Sequence, residues 1–216
     1  MGAITRSIAN NITTSGVFTS SAIANSSVTG ITSIPNEPAD GITLISSQTA
    51  SNSTSISFTS GLTSTYKAYK FVFSSIHPRT DNSIFHFQLS TNGGTTYATT
   101  ITSTFFEATH DEADTYGDFY YDTTKDLAQS TSYQYLASPV GNGADESLSG
   151  TLQLFNPSST TYVKHFIGNI NMYHASNYSS NFGIAGYGNT TSAINAINFK
   201  MASGNFDGTI YLYGIK

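Results

Sequence analysis

The chain has 216 residues, a net charge of −5, and charged side chains at only 10% of its positions. Its eight basic residues are spread thinly, which excludes the clustered Lys and Arg that a nucleic-acid partner requires. It contains no cysteine, which excludes disulfide staples and thiolate metal sites, and no run nears the ~18 apolar residues of a membrane span.

Ser and Thr supply 63 residues and Asn 17, alongside 14 Tyr and 14 Phe. Thr, Tyr, Phe and Ile fit a pleated, half-buried surface, and the residues that favour helix are scarce. An all-β fold is the expectation. The N-terminus lacks a basic stretch followed by an apolar run, so a secretory leader is not expected.

From Met1 to Ile34, 16 residues are Ser, Thr or Asn, and Arg6 is the only charged side chain. So little apolar surface cannot offset the entropy of ordering the segment by itself. Single β-branched residues recur along it: Ile4, Ile8, Ile12, Val17, Ile23, Val28, Ile31 and Ile34. Ser7-Ile8-Ala9-Asn10 is echoed by Ala22-Ile23-Ala24-Asn25. The spacing is too sparse for a core and too irregular for a coiled coil. It suits an extended strap that pushes one aliphatic side chain at a time into a partner; the alternative is a flexible linker. Pro35-Asn36-Glu37-Pro38-Ala39-Asp40-Gly41 then punctuates the chain. Residues 1–40 are therefore read as an N-terminal attachment arm and 41–216 as a β-sandwich domain.

Beyond the boundary, strand-like runs follow in order. Ile42–Ile45 and Thr54–Phe58 come first, then Tyr66–Phe73, with a stop near His77-Pro78. Ser83–Ser90 alternates, placing Phe85, Phe87 and Leu89 opposite Ile84, His86, Gln88 and Ser90. Asn92-Gly93 predicts a type I′ hairpin returning as Tyr97–Phe106, since both turn positions accept positive φ. Further runs are Tyr116–Tyr121, Ser132–Leu136, Leu148–Phe155, Tyr162–Tyr173, Asn181–Tyr187, Ala193–Met201 and Thr209–Ile215. This many alternating strands implies two packed antiparallel sheets or a barrel, and a jelly-roll-like sandwich is the expected topology.

Several stretches together resemble small β-structured virion proteins of tailed bacteriophages. They are Ile56-Ser57-Phe58-Thr59-Ser60-Gly61-Leu62, Tyr66 to Phe73, Leu89 to Tyr97, and the ending Phe206 to Ile215, joined to an Ile-Ala-Asn arm. The resemblance implies a structural role at the virion surface, as capsid fibre, capsid decoration or tail fibre. It also implies a homo-trimer anchored to a capsid or tail protein, and brings no catalytic residue with it.

Motifs for nucleophilic, zinc-dependent or phosphate chemistry are missing from the sequence, and no cofactor is expected. Gly183-Ile184-Ala185-Gly186-Tyr187-Gly188 has the glycines of a loop but no Lys, and reads as a mobile turn between strands. Glu107, Asp111, Glu112, Asp114, Asp118, Asp122 and Asp126 gather seven of the thirteen acids. Such carboxylates repel unless hydrated, protonated or bridged by a cation such as calcium. Their spacing is not that of an EF-hand, and a hydrated surface loop is the preferred reading. Paired carboxylates beside Tyr116, Phe119, Tyr120 and Tyr121 keep a polysaccharide-cleaving spike open as a minor alternative. His77, His86, His110, His165 and His174 are dispersed and read as surface hydrogen-bonding residues. The expectation is a non-enzymatic virion-surface protein, with host-glycan recognition through Tyr-rich outer faces as the main alternative.

Overall fold

A computed structural model describes residues 41–216. Their regular structure is entirely β: β1 (Ile42–Ser53), β2 (Ile56–Phe58), β3 (Ala68–Pro78), β4 (Ser83–Ser90), β5 (Ile101–Asp111) and β6 (Gly117–Tyr121). The second half continues with β7 (Gln134–Val140), β8 (Leu148–Phe155), β9 (Lys164–His174), β10 (Tyr178–Gly188), β11 (Ala196–Met201) and β12 (Phe206–Ile215). An eight-stranded sheet runs β1-β12-β3-β8-β9-β10-β5-β6, and a four-stranded sheet runs β2-β11-β4-β7. All pairings are antiparallel.

The pairs are nested. β3 with β8, β4 with β7, and β5 with β6 alternate between the large and small sheets, as do β1 with β12 and β2 with β11. A ribbon rolling from sheet to sheet in this way is the expected jelly-roll-like sandwich.

Alternation sets the two faces. In β9 the inward residues Phe166, Ile170 and Met172 are buried, while His165, Ile167, Asn169 and Asn171 face out. In β4, Phe85, Phe87 and Leu89 point inward as the sequence pattern requires. The inter-sheet layer is dominated by Phe. Phe199 of β11 has the rings of Phe58, Phe71, Phe73, Phe85 and Phe87 around it at centroid distances of 5.2–6.4 Å. Most meet edge-on or tilted, the arrangement that ring quadrupoles favour.

The Asn92-Gly93 hairpin is not formed. β4 has β11 on one side and β7 on the other, so β5 cannot return beside it and joins the other sheet instead. The positive-φ pair is Gly93 (71°) and Gly94 (87°). Side chains knit this turn to the neighbouring strand end. Asn92 Oδ1 accepts from Thr96 N at 3.0 Å, and Asn195 Oδ1 accepts from Gly93 N at 2.7 Å. The run Gly183–Gly188 is likewise not a turn, because it lies inside β10, paired on both sides by β9 and β5. At Gly186 the sheet has no room for a side chain, since an added Cβ would sit 2.7 Å from the Phe166 ring and 2.5 Å from the Thr102 carbonyl.

One end of the sandwich is closed by an unusual group. Lys164 is fully buried, and its Nζ donates to the carbonyls of Tyr162 (2.6 Å), Thr190 (3.2 Å) and Thr191 (3.4 Å). Burial pushes its pKa down. The ammonium thus ties the approach to β9 to the loop after β10.

Removing the Phe199 ring empties the centre of the Phe layer, and Phe199→Ala is expected to cost about 3–5 kcal/mol in denaturant unfolding. Phe119→Ala, at a side chain 70% exposed, is expected to change stability by less than about 0.5 kcal/mol. Equal effects of the two would contradict the packing described.

Candidate functional site

The arm residues Ile4, Ile8, Ile12, Val17, Ile23, Val28, Ile31 and Ile34 lie outside the described residues. The acidic stretch is well described, and its carboxylates do not act as one cluster. Among the described residues, no three His, Asp or Glu side chains converge as metal ligands. Instead the stretch divides into an exposed hairpin tip and a buried ion network.

At the tip, Asp111 accepts from Thr115 N (2.8 Å) and Tyr116 N (2.9 Å), and from the Thr115 hydroxyl. These bonds, the hydroxyl first, hold its pKa below the usual carboxylate range. His110 and Asp114 face each other at 3.3 Å in solvent.

The buried part arises where the chain leaves the sheet edge. After β6, Asp122 N still bonds the Phe105 carbonyl (2.9 Å), and Leu127 rejoins β5 through Ser103. Between them the chain crosses the inner face, bringing Lys125 over the rings of Phe105 and Phe182 at 5.7 and 5.9 Å. Lys125 Nζ donates to Glu107 Oε2 (3.0 Å) and Asp122 Oδ2 (2.9 Å). Tyr120 Oη also donates to Glu107 Oε2, at 2.9 Å. Burial opposes the charge on Lys125, but its two carboxylate bonds outweigh that and raise its pKa. Burial also opposes ionisation of Asp122, and the Lys125 and Thr124 bonds outweigh it, leaving its pKa depressed. Burial and the Glu107 bond push the Tyr120 phenol well above its ordinary value. Glu107 and Asp122 are thus occupied by one lysine, whose signal in the sequence is a lone Lys inside the acidic run.

The histidines do not converge. His165 packs against Tyr187 (6.1 Å) and His174 against Tyr178 (5.5 Å), while His77 Nδ1 lies 2.6 Å from the Glu146 carbonyl. His86 is not a surface residue. It is 7% exposed and packs at a tilt against the Tyr133 ring at 4.7 Å, and burial followed by the Lys200 charge pushes its pKa down to about 4. The outer face of the small sheet is polar, as its pattern indicates, but His86, Gln88, Ser90 and Asn198 are all buried. Two loop tyrosines account for part of this cover: Tyr133 donates to Asn198 (3.0 Å), and Tyr97 has its hydroxyl enclosed.

The outer face of the large sheet is different. Across β9, β10, β5 and β6 the outward side chains stand in register rows: His165–Tyr187–Thr102, Ile167–Ala185–Thr104, Asn169–Gly183–Phe106–Tyr121, and Asn171–Asn181–Ala108–Phe119. Gly183 and Ala185 make a low strip along β10. Ile167 and Asn169 form one bank, and Phe106, stacked on Phe119 at 6.0 Å and meeting Tyr121 edge-on at 5.2 Å, forms the other. At one end is a depression of about 450 Å³ lined by Thr102, Thr104, His165, Ile167, Ala185 and Tyr187. At the other is one of about 300 Å³ lined by residues including His110, Glu112, Asn171, Tyr173 and Tyr178. Between the two, Asn169 and Asn181 exchange side-chain amide bonds of 3.1 and 3.3 Å. Sequence reading missed this groove; its signal is two small residues, Gly183 and Ala185, at outward positions of one strand.

The chain matches no family model, no curated protein and no solved structure. Its functional reading rests on its own residues.

Lys125→Met leaves the buried Glu107 carboxylate with Tyr120 as its one remaining partner, and is expected to cost about 3 kcal/mol. Adding Glu107→Gln should recover much of that. The pH profile follows from the two shifts. The depressed Asp122 contributes stability above about pH 4 that is lost as acid carries the pH down through its folded pKa. The raised Lys125 contributes below about pH 10.4, and this is lost as pH rises through its folded value. A thermal midpoint that follows the same pH course in wild type and Lys125→Met rules the network out as a source of stability.

Proposed function

We propose that the chain is a non-enzymatic structural protein of a virus-particle surface, of capsid-fibre, capsid-decoration or tail-fibre type. Its β-sandwich is displayed from a homo-trimer. The observation that carries this reading is the chemistry at the two edges of the large sheet. Among the described residues, β1 ends the sheet with Ile42 and Leu44, 59% and 52% exposed, and β6 ends it with Phe119, 70% exposed. Apolar side chains beside unpaired strand edges favour contact with another chain. Because the two edges differ, they suit head-to-tail contact between copies, which closes into a ring when the rotation allows.

The arm, residues 1–40, receives the anchoring role from its sequence, through isolated Ile and Val side chains spaced for one-at-a-time burial. The resemblance to small phage virion proteins points the same way. The polysaccharide-cleaving alternative loses its main support, because Glu107 and Asp122 are held by Lys125 and are not paired across a cleft.

Light scattering on the purified chain is expected to give about three times the 23.0 kDa chain mass. A monomer at micromolar concentration would sink the trimer. Deleting residues 2–34 is expected to leave a body with unchanged thermal midpoint that no longer copurifies with particles. Retention of the deleted form on particles would remove the anchoring role.

A further inference from the structure

We propose that the groove along β10 binds a short, uncharged oligosaccharide. This goes beyond display and is separable from it, since the groove lies on the sheet face and the apolar edges flank it.

The first argument is shape. The floor is the strand itself, because Gly183 has no side chain and Ala185 a single methyl, while Ile167 and Phe106 rise beside them. The low part of the strip lies between the outward side chains of Asn181 and Tyr187 on the same strand. At ~3.3 Å per residue these two positions stand about 20 Å apart, room for about two or three sugar rings. The depression of about 450 Å³ lies at its Ala185 end.

The second argument is chemistry. A sugar ring presents an apolar C–H face and a rim of hydroxyls that both donate and accept. The lining offers the matching pair: the rings of Phe106 and Tyr187 for the C–H faces, and Asn169, Asn181 and Thr104 for the hydroxyls. The reciprocal Asn169–Asn181 bonds fix both amides before a ligand arrives, which lowers the ordering cost of binding. After these bonds Asn169 keeps one N–H, and each amide oxygen keeps a second lone pair.

Charge and backbone exclude the other occupants. The outward rows of β9, β10, β5 and β6 hold no Lys or Arg, so a nucleic acid or other polyanion finds no counter-charge. Asp111, Glu112 and Asp114 at one end disfavour acidic sugars. A peptide strand cannot be added, because both edges of β10 are already paired.

Gly183 supplies a clean test. A Cβ built there meets one atom within 4 Å, the Phe106 Cβ at 4.0 Å, and the residue has ordinary strand φ, so a side chain fits without straining the sheet. The full-length chain is applied to a printed array of linear oligosaccharides of glucose, galactose, mannose and their N-acetylamino forms, with acidic glycans printed alongside. Saturable binding to a subset of the neutral chains is expected, competed by the same free oligosaccharide. Gly183→Phe is expected to keep the thermal midpoint and the oligomeric mass and to weaken binding by at least about tenfold. Asn169→Ala, which leaves the floor open, should weaken it less. Gly183→Val is the fallback if the Phe variant does not fold. No saturable neutral-glycan binding, binding to acidic glycans alone, or binding undiminished by a filled groove would each overturn the proposal. A fall in oligomeric mass on filling the groove would also overturn it, by assigning the face to a second copy of the chain.

Discussion

Four strands cannot cover eight. The small sheet lays its Phe-rich inner face over the β12, β3, β8 and β9 side of the large sheet, with Phe199 at the centre of the contact and Phe87 reaching Phe166. The inner faces of β10 and β5 continue past that cover, carrying Phe105, Phe182 and Ile184, all buried. Something else must keep water off them, and the chain after β6 does so by crossing over with Leu127 and Lys125. A lysine in that place lays its aliphatic stem on the rings and must find anions for its head. Glu107 and Asp122 meet that need. The buried network follows from the mismatch in sheet width.

The other side of the large sheet, which the small sheet does not face, is a broad surface. Long strands fully paired on both sides give it stiffness, and alternation decides which side chains it presents. On β10 the inward positions hold Phe182 and Ile184, while the outward ones shrink to Gly183 and Ala185 between larger neighbours. A trough on a rigid sheet keeps its shape without a ligand. Its geometry is therefore set by core packing on the far side of the strand.

The fold was largely legible because its strands obey the period of two. Ser83–Ser90 and Leu148–Phe155 match the observed strands residue for residue, and the inward set Phe85, Phe87 and Leu89 follows from alternation alone. The failures share a cause. Asn92-Gly93 is a turn by local chemistry, but whether the chain returns beside β4 depends on β11 and β7, which are distant in sequence. Gly183–Gly188 reads as a loop by composition, yet it is strand, and Gly186 answers to the Phe166 ring and the Thr102 carbonyl of adjoining strands. His86 sits on the polar face of its strand, as its position in the alternation indicates, and no local pattern announces that loop residues will cover it. The acidic run was visible as charge, but its division into a hydrated tip and a lysine-bound pair depends on where the chain crosses the sheet. The groove was hidden for the same reason, since its floor and banks together come from four strands.

Lys164 gives the chain a built-in chemical clock. A primary amine sealed among three carbonyls cannot be reached by an acylating reagent while the ends of β9 and β10 stay closed. The slow labelling of this one side chain, set against fast labelling of exposed lysines, would time the breathing of that end of the sandwich.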